Sequence, residues 1–289
     1  MQVKPFYDPA TYTLTYVVFD EATRDAVVID PVLDFDPASG KTSTKSIDEV
    51  LAFVRDQRLE LHYVLETHAH ADHLSASQVI KTRLGARVAI GARITEVQAI
   101  FKGVFDLPLT PDGRQFDRLL VDGDVLDAGA LRIAVLATPG HTPACVSFLV
   151  GDAVFTGDTL FIEDYGTGRT DFPGGSADDL YTSIHDRLYA LPDATRVFTG
   201  HDYQPNGRDV RWETTIGESK RANVHLRSDT PRADYVELRK GRDATLAAPR
   251  LLLPSVQVNI VAGRMPDKHA NGRRYLAIPI AAPTELDAR

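Results

Sequence analysis

The chain of 289 residues is 43% hydrophobic and 25% charged, which is the composition of an ordinary soluble globular protein with a substantial core. Its formal net charge of -8 argues against the phosphate backbone of a nucleic acid as the main partner, because such binding depends on clustered lysine and arginine. No apolar run is long enough to cross a membrane, and the N-terminal residues contain no apolar leader. The single cysteine, Cys145, excludes an internal disulfide, and we expect a cytoplasmic protein.

The first elements predicted along the chain are two strands and a helix. Residues 13–19 and 25–30 are typical of short strands joined by a polar turn, which predicts a hairpin. Residues 34–46 have the composition of an exposed loop. Residues 46–57 place apolar side chains at helical spacing, and we expect Ser46 to cap that helix.

A second strand and helix pair is indicated further along. Residues 86–90 are an apolar run of strand length, and residues 176–191 carry apolar side chains on one helical face. Ser176 and Asp179 have the spacing of a capping box, so the sequence predicts a helix that begins directly after Ser176.

Beyond about residue 210 the sequence becomes more charged. Residues 211–229 and 235–246 predict charged amphipathic helices, whereas residues 254–260 and 273–280 favour short strands or irregular cover. No Pro/Gly/Ser linker of convincing length precedes this part of the chain. We therefore expect it to be an appendage on the same domain.

The stretch ETHAHADHLSA, residues 66–76, is the strongest functional signal. It places three histidines and an aspartate within six positions: His68, His70, Asp72 and His73. Histidine accounts for only 9 of the 289 residues, so coincidence explains this crowding poorly. Neutral imidazole is the commonest metal-ligand side chain, and the pattern predicts a metal site in preference to an exposed polar turn.

Four strand-like runs each end in a residue of the metal-ligand type. The runs LHYVLET, LRIAVLATPG, AVFTG and TRVFTG precede His68, His141, Asp158 and His201 respectively. Loops at one end of a sheet would bring all four side chains together, because the strands fix the positions at which the loops begin. The sequence therefore predicts one composite site at a sheet edge.

This set of motifs resembles the metallo-β-lactamase superfamily over roughly residues 10–205. The matching residues are His68, His70, Asp72, His73, His141, Asp158 and His201. The resemblance implies an α+β fold, a four-layered αββα sandwich with the metal at the edge where the two sheets meet. We expect a single domain over residues 1–289, in which residues 210–289 form a C-terminal extension packed on the catalytic core.

Within the superfamily the sequence is similar to the persulfide dioxygenases. The similarity rests on the segments THAHADHLSA, PGHTPACVSF, FTGDTLFI, GTGRTDFPGG and GHDY, in that order. It implies that His68, His141 and Asp158 bind one Fe(II) per chain. A two-histidine, one-carboxylate set leaves coordination positions open for the partners that the resemblance implies, glutathione persulfide and O₂. The expected products are sulfite and glutathione.

The remaining motif residues leave a second chemistry open. His70, Asp72, His73 and His201 match a second metal site in hydrolytic relatives, whereas in the dioxygenases they orient ligands and water. The alternative function is therefore hydrolysis by two Zn(II) per chain, acting on a glutathione thioester, as in hydroxyacylglutathione hydrolase, or on a lactam. A non-enzymatic scaffold is a third interpretation, although all seven candidate metal residues are present.

Two further residues are candidates for substrate binding. Arg169, in GTGRTDF, either places an anionic substrate or orders its loop by pairing with Asp171. Tyr203, in GHDY, either faces the glutathione site or packs as a structural tyrosine.

The loop within residues 33–46 and the C-terminal extension resemble those of a bacterial subgroup. That subgroup contains stand-alone persulfide dioxygenases and lactamase-like hydrolases of sulfide-responsive operons. Because homodimers are the commonest oligomers of soluble proteins, we expect a homodimer.

Overall fold

Two six-stranded sheets form the centre of the computed structural model, which describes residues 1–280. The first sheet has the order β1 (Gln2–Asp8), β2 (Thr13–Phe19), β3 (Asp25–Ile29), β6 (Glu60–Glu66), β8 (Arg87–Gly91) and β9 (Arg118–Leu120). The second has the order β10 (Val125–Ala128), β11 (Leu131–Ala137), β12 (Val146–Val150), β13 (Ala153–Phe155), β14 (Arg196–Phe198) and β15 (Glu213–Thr215). A small third sheet joins β5 (Lys41–Ser43), β4 (Val32–Asp36) and β7 (Leu74–Ser75).

Helices cover the outer face of each large sheet. The α-helices among the described residues are α1 (Lys45–Asp56), α2 (Ser77–Leu84), α3 (Ile94–Phe105), α4 (Ala177–Tyr181), α5 (Ile216–Ala222), α6 (Arg232–Asp243) and α7 (Leu252–Asn259). Side chains of α1, α2, α3 and α7 pack on the first sheet, and those of α4, α5 and α6 on the second. The order of layers is therefore αββα, as the resemblance to the superfamily implied.

Strand β2 shows why the sequence forms these layers. Alternate side chains of a strand point to opposite faces of its sheet. Leu14, Tyr16 and Val18 enter the core between the two sheets, whereas Val17 and Phe19 enter the core beneath the helices. Because both faces of β2 are buried, the strand is almost continuously apolar. Strand β3 pairs antiparallel with β2, which confirms the predicted hairpin.

Parallel pairing brings the functional loops to one edge. In the first sheet β3, β6 and β8 run parallel, and in the second β13 runs parallel to β14. The carboxyl ends of parallel neighbours lie at the same edge of a sheet. His68 follows β6, Asp158 follows β13 and His201 follows β14. The predicted convergence of strand ends is therefore built into the topology.

The expectation of a loop over residues 34–46 was wrong. These residues contain the end of β4, all of β5 and the start of α1. In addition, β4 pairs with β7, which lies within the histidine stretch, residues 66–76. Only Pro37–Gly40 form the turn, in which the Asp36 carboxylate accepts hydrogen bonds from the Ala38 amide and the Ser39 hydroxyl. The strands on either side are too short for their period to stand out in the sequence.

Helix α1 confirms the helix predicted over residues 46–57, with a different start. Thr44 occupies the N-cap position, and the Ser46 hydroxyl donates to Asp34 Oδ1 at 2.6 Å. The helix predicted after Ser176 is also found, and Ser176 Oγ accepts from the Asp179 amide. From Thr182 that helix continues as a π-helix, Thr182–Leu188.

The predictions for the remaining elements had different outcomes. The charged helix predicted within residues 235–246 is confirmed by α6, and residues 86–90 are confirmed as β8. Residues 211–229 contain β15 and α5 rather than one long helix. Residues 254–260, expected as strand or irregular cover, lie mostly in α7. Burial of Ser255–Asn259 on all sides of that helix explains the error, because a short buried helix and a buried strand both appear as an apolar run.

None of the helices formed by residues 1–280 has the length and apolarity needed to cross a membrane.

Candidate metal centre

The histidine stretch forms a buried loop between β6 and β7. His68, His70 and His73 are at most 1% exposed. The backbone reaches this position because Thr67, at the end of β6, donates its amide and hydroxyl hydrogens to the Asp30 carboxylate at 2.8 and 2.7 Å. The end of β3 and the end of β6 are thereby tied together under the loop.

His68, His141 and Asp158 form a first group of potential ligands. One ligand atom from each of the three lies within 4.8 Å of the others. His141 Nε2 is 3.7 Å from Asp158 Oδ2, and the ring centroids of His68 and His141 are 4.9 Å apart. The structure thus brings together, from three different loops, the residues that sequence similarity assigned to one cation.

The second group lies beside the first and approaches it through Asp158. His70, Asp72 and His73 have ligand atoms within 4.8 Å of one another. His201 Nε2 lies 3.4 Å from Asp72 Oδ2 and 3.3 Å from Asp158 Oδ1. Asp158 therefore stands between the two groups, with Oδ2 near His141 of the first group and Oδ1 near His201 beside the second.

The hydrogen bonding of these residues fits a metal. Buried polar atoms in proteins nearly always have a hydrogen-bond partner. Among the described residues, His68 Nε2, both ring nitrogens of His70, His73 Nε2, Asp158 Oδ1 and both ring nitrogens of His201 have none. Lone pairs that converge without hydrogen bonding one another are suited to a shared cation. The residues present are a suitable donor set for one.

Burial prepares the histidines to act as ligands. Desolvation, reinforced by the neighbouring imidazoles, lowers the pKa of His68 and of His70 well below the ordinary histidine value. Both rings are therefore neutral near pH 7, which is the form that binds metals. His141 Nδ1 donates to the carbonyl oxygen of Arg169 at 2.7 Å, so that its Nε2 keeps a free lone pair.

Asp30 and Glu66 are buried carboxylates beside His70 that the sequence analysis did not identify as part of the site. Asp30 Oδ1 is 3.1 Å from His70 Nε2, and Glu66 Oε2 is 3.7 Å from the same nitrogen. Burial and the charge of Asp30 raise the pKa of Glu66 to about 8, and Glu66 accepts hydrogen bonds from the hydroxyls of Ser75 and Ser77. Asp30 and Glu66 therefore both lie next to Nε2 of His70. The signal for Asp30 was present, since it also ends a strand-like run.

Gly168 is required by a close backbone approach. A Cβ atom at this position would lie 1.9 Å from the carbonyl oxygen of Asp158. Any other residue would push the loop of Arg169 away from Asp158, and with it the carbonyl group that orients His141. The GTGRTDF segment therefore supports the site through its backbone as well as through its side chains.

A cleft of about 510 Å³ opens over the first group and is lined by both His141 and Asp158. Its walls carry four arginines and three tyrosines: Arg169, Arg239, Arg242, Arg250, Tyr12, Tyr165 and Tyr203. Three of the four arginines come from beyond residue 210, in α6 or shortly before α7. The C-terminal extension thus forms one wall of the cleft.

The structure places both predicted substrate residues in this cleft. Arg169 forms a two-pronged ion pair with Asp171, with both contacts at 2.6 Å, and it also donates to the carbonyl oxygen of Ala247. Tyr203 stacks on Tyr165, with ring centroids 4.6 Å apart, and on His201 at 5.5 Å. Arg169 is therefore held mainly as a loop organiser, whereas Tyr203 forms a wall beside the second group.

Asp202 directly follows His201 in the sequence but does not hydrogen bond its imidazole. Its carboxylate is bound by Arg208, with contacts of 2.7 and 2.8 Å, and accepts a hydrogen bond from the Arg211 amide. The side chain is engaged in this ion pair rather than with the imidazole of its neighbour. Its role is to fix the loop that follows β14.

Comparison with known proteins agrees with this geometry. The sequence profile of the metallo-beta-lactamase superfamily matches residues 9–201. A beta-lactamase hydrolase-like protein of Xylella fastidiosa is 49% identical over 282 residues, which are 97% of this chain and 65% of that protein. The chain therefore spans slightly less than two thirds of that relative.

Two further comparisons concern persulfide dioxygenases. The human mitochondrial persulfide dioxygenase ETHE1 is 32% identical over 226 residues, which cover 78% of this chain and 75% of the human protein. The crystal structure of ETHE1 from Myxococcus xanthus superimposes with a TM-score of 0.73 at 35% identity, covering 91% of this chain and 100% of that chain. Fold, site and sequence agree, and the chain belongs to the metallo-β-lactamase superfamily.

Proposed function

We propose that this protein is a persulfide dioxygenase that holds one Fe(II) and converts glutathione persulfide, O₂ and water into sulfite and glutathione. The observation that carries the proposal is the group of His68, His141 and Asp158, whose ligand atoms lie within 4.8 Å of one another. The likeness to the human and Myxococcus proteins supports it, because the human relative is named for this reaction.

Two imidazoles and one carboxylate are the protein ligands of many non-heme ferrous oxygenases, since three protein ligands leave coordination positions open. When bound, Fe(II) would supply the redox chemistry by which O₂ oxidises the outer persulfide sulfur. His141 and Asp158 line the cleft, so both face the space that a substrate would fill. The Arg169 carbonyl holds His141 in the tautomer that exposes Nε2.

The electrostatics of the cleft support an anionic substrate. Arg242 and Arg250 line it and form no ion pair among the described residues, although the chain as a whole has a net charge of -8. Unpaired guanidinium groups are suited to carboxylates, which they bind through two parallel hydrogen bonds. We propose that they bind the carboxylates of a glutathione conjugate while its sulfur lies near His141 and Asp158.

A dinuclear zinc hydrolase is the rival function, and one observation favours it. His70, Asp72, His73 and His201 also converge, and Asp158 stands between the two groups. The Xylella relative is named hydrolase-like. In this alternative, two zinc ions would activate a water molecule for attack on a thioester or lactam carbonyl.

Metal content and reaction separate the two proposals. Protein purified without oxygen should contain about one iron per chain, because one two-histidine, one-carboxylate group binds one ion. It should not cleave a glutathione thioester. Two zinc ions per chain together with thioester cleavage would replace the dioxygenase by the hydrolase. Protein without bound metal would overturn both. A cytoplasmic location and a homodimer remain predictions of the sequence.

A further inference from the structure

One side chain of the C-terminal extension hydrogen bonds the backbone of the histidine stretch. Asn259, the last residue of α7, donates from Nδ2 to the carbonyl oxygens of His70 and His73, both at 2.8 Å. Its Oδ1 accepts a hydrogen bond from the Ser75 amide, also at 2.8 Å. The residue is only 4% exposed, and all three of these side-chain contacts are made to the backbone of residues 70–75.

We propose that Asn259 is a positioning residue of the metal centre. It fixes the backbone of residues 70–75 so that the imidazoles of His70 and His73 converge with the Asp72 carboxylate in the second group of potential ligands. The C-terminal extension is then a working part of the metal site and not only a cover for the core. The inference rests on the metal binding proposed above: His70 and His73 would orient the ligands of a single iron, or would themselves bind the second of two zinc ions.

The chemistry of the contact explains why an amide stands there. Two carbonyl oxygens require donors, and one backbone amide requires an acceptor, all within reach of one short side chain. A primary amide offers two N–H donors and one carbonyl acceptor, whereas an ionised carboxylate offers acceptors only. An aspartate in place of Asn259 would direct a negative oxygen at two carbonyl oxygens. Among side chains of this size, only asparagine meets all three requirements.

The end of α7 is itself firmly held, so that the amide is presented in a fixed position. Gln98, from α3, donates to the carbonyl oxygen of Ile260 at 2.8 Å, and Gln78, from α2, donates to that of Ala262 at 2.8 Å. Val256 and Val258 of α7 lie in the core beneath the helices. A group that orients metal ligands works best when it is rigid, because its own motion would be passed on to the ligands.

Gln257 provides a matched control on the same helix. It is 5% exposed, against 4% for Asn259, and its amide is also fully engaged. Its partners are the Leu253 carbonyl and the backbone of Ala277, so it ties α7 to the tail and not to the histidine stretch. Gln257→Glu makes the same chemical change as Asn259→Asp, in the same helix and at nearly the same burial. Loss of stability alone should affect both variants alike.

The experiment compares metal affinity with folding in wild type, Asn259→Asp and Gln257→Glu. Co(II) is titrated against a competing chelator and followed by its visible spectrum, and the thermal midpoint of each metal-free protein is measured separately. Asn259→Asp should weaken Co(II) binding by about 10–100-fold, the usual cost of losing an outer contact of a metal site. Gln257→Glu should lower the thermal midpoint and change Co(II) affinity by less than about threefold, a difference within the scatter of such effects.

A second measurement reports on the loop without metal. Backbone amide hydrogen exchange in metal-free protein should become faster over residues 68–75 in Asn259→Asp and remain unchanged there in Gln257→Glu. If Asn259→Asp does not fold, Asn259→Ser serves instead, since its smaller side chain leaves room for water at the two carbonyl groups. Wild-type affinity in folded Asn259→Ser would overturn the proposal. Equal losses of affinity in the Asn259 and Gln257 variants would also overturn it.

These outcomes are independent of the reaction. A wild-type protein that binds no Co(II) would overturn the proposed metal site. A wild-type protein that binds Co(II) no more tightly than folded Asn259→Asp would overturn only the role of Asn259.

Discussion

His141 and Arg169 are joined by a hydrogen bond of 2.7 Å from the imidazole Nδ1 to the backbone carbonyl oxygen. A carbonyl oxygen can only accept, so Nδ1 carries the proton and Nε2 presents its lone pair. That lone pair faces the region of Asp158, whose Oδ2 is 3.7 Å away. One loop therefore determines how a residue of another loop can act as a metal ligand.

The first prediction concerns this ligand group. His141→Ala and Asp158→Ala should each lose most bound metal and at least about 100-fold in turnover, because two of three protein ligands remain to hold the ion. Metal analysis and steady-state rates measure both effects. His185→Ala is the control, since His185 is partly exposed and, within residues 1–280, its ring hydrogen bonds only to Asp186 and the Ser228 carbonyl. Full activity of His141→Ala would remove His141 from the site.

The second prediction uses His201 to distinguish one metal from two. In the proposed mononuclear enzyme, His201→Ala should keep its iron, because His201 is not one of the three proposed iron ligands. Its Nε2 lies 3.4 Å from Asp72, beside the second group, and 3.3 Å from Asp158. Turnover should fall by about tenfold through the loss of an orienting contact. The measurement is iron per chain in the purified variant. Loss of all bound metal would contradict the mononuclear assignment.

The third prediction concerns the arginines of the cleft. Arg242→Gln combined with Arg250→Gln should raise KM for glutathione persulfide by about 10-fold or more, with kcat changed far less, because each lost charge-assisted contact weakens ground-state binding. Arg132→Gln is the control, since Arg132 is exposed on β11 and forms an ion pair with Asp127 outside the cleft. With a persulfide that lacks carboxylates, wild type and the double variant should have the same KM. An unchanged KM for glutathione persulfide would exclude the anion-binding role.

The fourth prediction is a pH dependence of stability. Burial, together with Arg239 and Arg242, lowers the pKa of His225 from 6.5 to about 4. Between these pH values His225 is protonated in the unfolded chain but not in the folded protein. His225 therefore makes the metal-free protein less stable as pH falls from 6.5 to about 4. In His225→Gln, the loss of unfolding free energy across this window should be smaller by about 2 kcal/mol.

Urea unfolding of metal-free protein at several pH values tests this prediction. His185→Gln provides the control, because it removes a more exposed histidine. Identical pH slopes for wild type and His225→Gln would show that His225 is not responsible.

The resemblance of the motifs to a known superfamily implied the αββα layers, whereas local patterns predicted that the candidate ligands converge at one edge. The mostly apolar run of β2 identifies a buried strand, and strand-like runs that end in His68, His141, Asp158 and His201 identify one edge of the fold. The same rule applied to residues 25–30 would have identified Asp30, which lies 3.1 Å from His70 Nε2.

Other features depend on contacts that no local pattern records. Asn259 reaches the histidine stretch across 184 to 189 residues of sequence, and nothing in its neighbourhood predicts a polar role. The strand β4 is stabilised by pairing with β5 and β7 rather than by its own composition. Arg242 and Arg250 reach the cleft only because the C-terminal extension packs over it. The sequence alone could not place any of these.

Oxygen consumption tests the central claim most directly. Iron-loaded protein is mixed with glutathione persulfide in an oxygen electrode, and sulfite is measured in the same sample. Because sulfite formation consumes one O₂ for each persulfide in the proposed reaction, we expect equal amounts of O₂ lost and sulfite formed, with neither change in Asp158→Ala. No oxygen uptake by iron-loaded wild type, together with rapid cleavage of a glutathione thioester by zinc-loaded protein, would contradict the account.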